Sequence, residues 1–168
     1  SSIFGTNKPY EIERKFLIKD NAFNLDSYNY VEIQQAYIST SPVIRVRKRC
    51  TSHGKEEYIL TVKSKGMLSR QEFELSLEPA DYEKLLTKAE GNIITKRRYI
   101  IPLEDGLTLE LDYFKEVFQG LVMGEIEFNN EPSGVLEGFT RIIKSVFNKQ
   151  IEIPSLGTID ETNVDVSE

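Results

Sequence analysis

Glu11, Glu13 and Lys15 stand at alternate positions in Glu11-Ile12-Glu13-Arg14-Lys15, directly before the apolar run Phe16-Leu17-Ile18. On a β-strand, the period of two sets these three on one face and Ile12, Arg14 and Phe16 on the other. Two carboxylates roughly 6–7 Å apart along a strand can hold a hard divalent cation, and a lysine one step on can touch an anion bound to that cation. The arrangement recurs along the chain. Charges at i, i+2 are found in Arg45 and Arg47, in Arg70, Glu72 and Glu74, in Lys96 and Arg98, in Glu110 and Asp112, and in Glu125 and Glu127; Lys63 follows Leu60-Thr61-Val62. Ile12, Val46, Phe73, Leu75, Leu111 and Ile126 lie between them, so nearly every such segment has one ionic face and one largely apolar face.

The elements that carry these residues read as strands at about 11–18, 31–39, 43–50, 56–64, 70–77, 94–101, 107–115 and 121–129, all alternating or rich in β-branched and aromatic residues. Gly54, Gly66, Gly106 and Gly120, with Ser41-Pro42, Pro102 and Asn129-Asn130, supply turns, and the short links favour antiparallel pairing. Pro79 to Ala89 reads as a helix with an N1 proline and a stop at Gly91. Between Ser133 and Lys149, Val135, Leu136, Phe139, Ile142, Ile143, Val146 and Phe147 recur at helical spacing; Ser133 can cap this amphipathic helix, and Lys144 and Lys149 suit its C-terminal end. One domain over residues 9–154 is expected, with 1–8 and 155–168 as flexible termini.

Two architectures fit this pattern. An open sheet would pack its apolar face on the helices and show its charged face to water. Some eight twisted strands can also close into a barrel. The apolar helix at 133–149 needs an apolar surface to cover, and a helix sits outside a barrel more easily than within it. If the strands close, the fold class is α+β, mainly β: an eight-stranded antiparallel β-barrel tunnel with helices packed outside and the ionic face lining the lumen. Such a lumen needs its charges balanced, and a polyanion on the basic wall with divalent cations on the acidic wall would do so. A triphosphate with Mg²⁺ or Mn²⁺ matches: arginine and lysine suit phosphate oxygens, and carboxylates suit these metals. No Walker-type glycine loop and no GxGxxG is present.

The bulk numbers bound the reading. A chain of 168 residues, 39% hydrophobic, can bury one core; a net charge of −6 argues against a general nucleic-acid binder. The single cysteine, Cys50, excludes an intramolecular disulfide and fits a reducing compartment; no run approaches a membrane span and no signal sequence stands at the start. A soluble cytoplasmic protein is expected. His53 and Cys50 read as a solvated turn residue and a packing residue, while Arg14, Lys48, Arg49 and Arg97 read as out of phase with the ionic pairs and outward-pointing.

Taken in order, the motifs resemble the CYTH superfamily, also called the triphosphate tunnel metalloenzymes. Glu11-Ile12-Glu13-Arg14-Lys15 resembles the ExExK signature. Gln35-Ala36-Tyr37-Ile38, Arg45-Val46-Arg47, Leu60-Thr61-Val62-Lys63 and Arg70-Gln71-Glu72-Phe73-Glu74 follow in family order. Lys96-Arg97-Arg98-Tyr99, Glu110-Leu111-Asp112-Tyr113-Phe114 and Gly124-Glu125-Ile126-Glu127-Phe128 complete the set over roughly residues 10–150. The resemblance implies metal-dependent chemistry on a triphosphate, with two ions of Mg²⁺ or Mn²⁺. It implies Glu11, Glu13, Asp112, Glu125 and Glu127 as metal ligands, and Lys15, Arg45, Arg47, Lys63, Arg70 and Arg98 as substrate contacts. Glu72, Glu74 and Glu110 also match, as metal or neighbouring groups. Lys15, Tyr37 and Lys96 are the expected catalytic residues: Tyr37 beside Lys96 as the base, since an ammonium favours a nearby phenolate, with a glutamate or a metal-activated water as alternatives.

Hydrolysis of inorganic tripolyphosphate to diphosphate and phosphate is the favoured activity, since no tryptophan offers a platform for an organic moiety, although the tyrosines and phenylalanines could substitute. Nucleoside or thiamine triphosphate hydrolysis comes next. A class IV adenylate cyclase fits less well, because the one histidine, His53, lies far from the N-terminus. A non-catalytic polyphosphate-binding module would need the basic set but not the acidic one. No nucleic-acid or membrane partner is expected; an exposed face could pair two copies into a homodimer, which no sequence feature decides.

Overall fold

A computed structural model of the chain describes residues 12–19, 23–63, 72–128, 135–147, 159–160 and 165–166, with the backbone alone described at 12–15, 105, 127–128, 135–137, 159–160 and 165–166. Eight strands follow the alternating segments: β1 (Ile12–Leu17), β2 (Asn29–Thr40), β3 (Val43–Thr51), β4 (Glu56–Lys63), β5 (Phe73–Ser76), β6 (Glu90–Pro102), β7 (Thr108–Phe114) and β8 (Val122–Phe128). They form one antiparallel sheet in the order β1-β8-β7-β6-β2-β3-β4-β5. The described ladder ends at β1 and β5. A further antiparallel pair, β9 (Ile159–Asp160) and β10 (Asp165–Val166), lies near the C-terminus.

Helices α1 (Pro79–Leu86) and α2 (Val135–Phe147) both pack on the apolar face. The Phe139 ring of α2 lies 4.4 Å from that of Phe16 on β1, over a core that includes Leu109, Leu111, Ile126 and Ile143. Gly124 on β8 is what lets α2 come this close: a Cβ there would stand 2.6 Å from Phe139 Cζ and 2.9 Å from Ile18 Cδ1. Tyr82 of α1 is fully buried, and its hydroxyl donates to the carbonyl and side-chain oxygens of Gln34, both at 3.0 Å.

Two local expectations change. Pro79 starts α1 as expected, but the helix ends at Leu86 with Thr87 as its cap; Gly91, at φ 76°, belongs to β6 rather than to a helix stop. The strand begins earlier because Glu90 pairs with Tyr37 of β2 across a register shift, where the positive φ of Gly91 is accommodated. Gly66, Arg70, Asn129, Asn130, Ser133, Lys149 and the expected flexible termini, apart from β9 and β10, lie outside the described residues.

Candidate active site

Cross-strand register decides which side chains share a face. Glu13 faces Glu127, and Lys15 faces Glu125, between β1 and β8. Glu110 faces Glu125, and Asp112 faces Met123, between β7 and β8. Asp112 also faces Arg98, and Lys96 faces Phe114 and Ile33. Gln35 faces Arg47, and Tyr37 faces Arg45. Arg45 faces Thr61, which faces Glu74, and Lys63 faces Val43. Partners across a ladder project to the same side, so one face runs from the glutamates of β1, β7 and β8, through Asp112, Arg98 and Lys96, to the arginines of β3 and Lys63. The helices cover the other face.

This helix-free face is nonetheless buried over much of its extent. Lys96 is 0% exposed, Thr61 1%, Gln35 2% and Asp112 5%. Arg98 grips Asp112 through two parallel bonds, Nε to Oδ1 at 2.8 Å and Nη2 to Oδ2 at 2.9 Å, and Lys96 Nζ adds a third at 2.9 Å. Burial opposes the Asp112 charge, but Arg98 hydrogen bonds and the Lys96 and Arg98 charges outweigh it and hold the carboxyl below its ordinary range. Arg98 Nη1 also reaches Glu110 at 3.6 Å. Arg47 Nε donates to Gln35 Oε1 at 2.7 Å, fixing that guanidinium against β2. Arg45 Nε is a buried donor with no hydrogen-bond partner among the described residues, which an anion accepting from it would satisfy. At the β5 end, Lys63 pairs with the exposed Glu72 at 2.9 Å.

The face thus brings together Arg45, Arg47, Lys63, Lys96, Arg98, Glu110, Asp112 and Glu125, and the backbone register adds Glu13, Lys15 and Glu127. Glu11 and Arg70 lie outside the described residues, as do the side chains of Glu13, Lys15 and Glu127; Glu72 and Glu74 are exposed. Among the described residues no three metal-ligating side chains converge, but the backbone register opposes Glu13 with Glu127 and Glu110 with Glu125, residues of the carboxylate type that Mg²⁺ and Mn²⁺ take. Tyr37 and Lys96 are not ladder partners. Lys96 faces Ile33, four residues from Tyr37 and about 13 Å along the strand, and its ammonium sits on Asp112. The cation opposite Tyr37 is Arg45.

Three features escaped the sequence reading. Arg49 lies two residues beyond Arg47 and shares its face, opposite Ile33, where it pairs with Glu57 at 3.2 Å; the i, i+2 spacing already contained this. Gln35 was visible only as part of a motif, because nothing in a lone glutamine predicts an arginine partner on another strand. Ile94, Phe114 and Met123 form a buried apolar cluster on the ionic face beside Lys96. Arg97 and Lys48 do lie on the helix face, Cys50 is free and half-buried, and His53 is exposed in a turn.

An eight-stranded antiparallel sheet with helices on one face and a buried, oppositely charged array on the other offers groups that suit a polyanion together with cations. The CYTH domain profile matches residues 9–152. The chain belongs to the CYTH domain family. It is 38% identical to an inorganic triphosphatase of Nitrosomonas europaea over 121 residues, covering 72% of this chain and 78% of that protein. It is 32% identical to an inorganic triphosphatase of Acetivibrio thermocellus, covering 72% of this chain and 76% of that protein. Among solved structures it matches a crystal structure of an inorganic triphosphatase with a TM-score of 0.55 at 34% identity, over 73% of this chain and 75% of the other.

Proposed function

We propose that the protein hydrolyses inorganic tripolyphosphate to diphosphate and phosphate, by attack of water on a terminal phosphorus, in a tunnel enclosed by the eight strands. The observation that carries this reading is the burial of a charged face that neither helix covers, with an orphaned Arg45 donor in it. A sheet that curls round its own ionic face accounts for both. The names of the two curated relatives favour tripolyphosphate within the triphosphates.

In this reading Arg45, Arg47, Lys63 and Arg98 bind phosphate oxygens, and Lys15 joins them from β1. Gln35 keeps the Arg47 fork turned toward the substrate. The positive array stabilises charge on the leaving diphosphate and on the transferring phosphoryl group, which is most of what such a transfer requires. Glu13, Glu110, Glu125 and Glu127 would hold the divalent ions, two of Mg²⁺ or Mn²⁺, whose chemistry is to neutralise phosphate charge and lower the pKa of water. Tyr37 takes the proton of the attacking water, with Arg45 as the adjacent cation. The free Cys50 fits a reducing cytoplasm. Among the described residues no helix is long and apolar enough to cross a membrane.

Phosphate release from tripolyphosphate, ATP and thiamine triphosphate, with Mg²⁺ or Mn²⁺ and with EDTA, tests the reading. Tripolyphosphate is expected to be the best substrate and EDTA to abolish release; preference for an organic triphosphate moves the assignment to a nucleoside or thiamine triphosphatase, and no metal-dependent release from any leaves a binding module. Tyr37→Phe is expected to lower kcat by roughly 10²-fold or more. Unchanged turnover would dismiss Tyr37 as base.

A further inference from the structure

Asp112 lies in the middle of the ionic face, and three donors already occupy it: Arg98 Nε on Oδ1 at 2.8 Å, and Arg98 Nη2 and Lys96 Nζ on Oδ2, each at 2.9 Å. We infer that Asp112 is a positioning residue that, backed by the buried Lys96, holds Arg98 toward the substrate, and that the glutamates of β1, β7 and β8 carry the divalent ion without it. This rests on the metal-dependent reading above.

A carboxylate offers about four lone-pair sites, so three donors leave one. A divalent ion taking that last site would stand beside a guanidinium and an ammonium within hydrogen-bond distance of the same oxygens, in a place where Asp112 is 5% and Lys96 0% exposed. Like charges this close repel strongly when water is excluded. Displacing Lys96 to make room would leave a buried ammonium without its anion, which is the costlier arrangement.

Strand register points the same way. Across β8, Asp112 faces Met123, an apolar side chain, and across β6 it faces Arg98. The other acids are opposed in pairs, Glu110 with Glu125 and Glu13 with Glu127. Two carboxylates facing each other lose their mutual repulsion when they share a cation. Asp112 has no such partner and no such repulsion to relieve. Arg98 reaches Glu110 as well, at 3.6 Å. Asp112 thus fixes the direction of two long side chains that would otherwise sample many rotamers.

The test is Mn²⁺ binding to the metal-free full chain, followed by loss of the free-ion EPR signal, for the wild type, Asp112→Asn and Glu125→Gln, together with kcat and KM on tripolyphosphate. Asp112→Asn is expected to bind Mn²⁺ within about twofold of the wild type while KM rises about tenfold or more; Glu125→Gln is expected to lose about tenfold or more in Mn²⁺ affinity. Equal losses of Mn²⁺ affinity in the two variants would overturn the role given to Asp112. Undiminished binding in Glu125→Gln would overturn the glutamate site itself, a failure of the underlying metal reading rather than of the Asp112 geometry alone. Should Asp112→Asn not fold, as judged by circular dichroism, the double variant Lys96→Met with Asp112→Asn removes the buried cation with its anion. The same Mn²⁺ comparison applied to it decides the matter.

Discussion

Asp112 and Glu32 each hold two cations, on opposite faces of the same sheet. Asp112 holds Lys96 and Arg98 on the ionic face; Glu32 holds Arg97 and Lys115 on the helix face. Lys96, Arg97 and Arg98 are consecutive on β6, so the strand period alone sends the outer two to one cluster and the middle one to the other. The clusters differ in burial: side-chain exposure is 0% for Lys96 and 7% for Asp112, against 33% for Glu32 and 39% for Lys115. In each, burial opposes the carboxylate charge and is outweighed, by Arg98 and Lys96 for Asp112 and by Lys115 and Arg97 for Glu32, so both carboxyls lie below their ordinary range. Water can replace a lost partner in the outer cluster but not in the inner one. The same stoichiometry therefore gives a fixed device on one face and an exchangeable surface contact on the other.

Removing the inner anion should break this contrast most sharply. Asp112→Ala takes the carboxylate from a fully buried ammonium, and deleting one partner of a buried pair costs about 3–5 kcal/mol. Urea unfolding at neutral pH reads the loss; a change under about 1 kcal/mol would put the two clusters in one energetic class. The helix face is expected to be sensitive to volume instead. Gly124→Val places carbon where Phe139 Cζ stands 2.6 Å from a would-be Cβ. Overpacking of this kind costs about 1–3 kcal/mol, read as a fall in Tm. An unchanged Tm would mean that α2 shifts off β8 without loss.

The contrast between the faces was legible in the sequence because a period of two is a local property. Arg45 and Arg47, or Glu110 and Asp112, declare their shared face without any knowledge of neighbouring strands. The eight strands and the placement of α2 over the apolar face follow from the same periodicity. What was not legible depends on register between strands distant in sequence. Gln35 meets Arg47 and Asp112 meets Arg98 only because of how β2, β3, β6 and β7 align. How Tyr37 stands to Lys96 depends on register in the same way: both are on the ionic face, and Lys96 is opposite Ile33, four residues from Tyr37 on β2. Gly91 looked like a helix stop because a glycine with positive φ serves a helix end and a strand irregularity equally well. Gly124 carried no local signal at all, since the close approach that requires it belongs to α2.

The smallest expected effect sharpens the comparison from the outer side. Glu32→Gln removes the charge that Arg97 and Lys115 share, yet Arg97 keeps its stacking over the Tyr30 ring, 4.1 Å from guanidinium carbon to centroid, and Lys115 can turn to water. The expected loss at pH 7 is about 1 kcal/mol or less, shrinking further in high salt. Its pH dependence has a definite sign. The Glu32 carboxyl is held below its ordinary value in the folded chain, so its contribution is present above the unfolded carboxylate pKa and disappears as pH falls through the lowered one. Wild type and Glu32→Gln should therefore differ at pH 7 and converge as pH falls from the ordinary carboxylate range through the lowered value. A difference that does not shrink at all as pH falls would assign the loss to packing of the Glu32 side chain rather than to its charge, and the outer cluster would then resemble the inner one more closely than its exposure suggests.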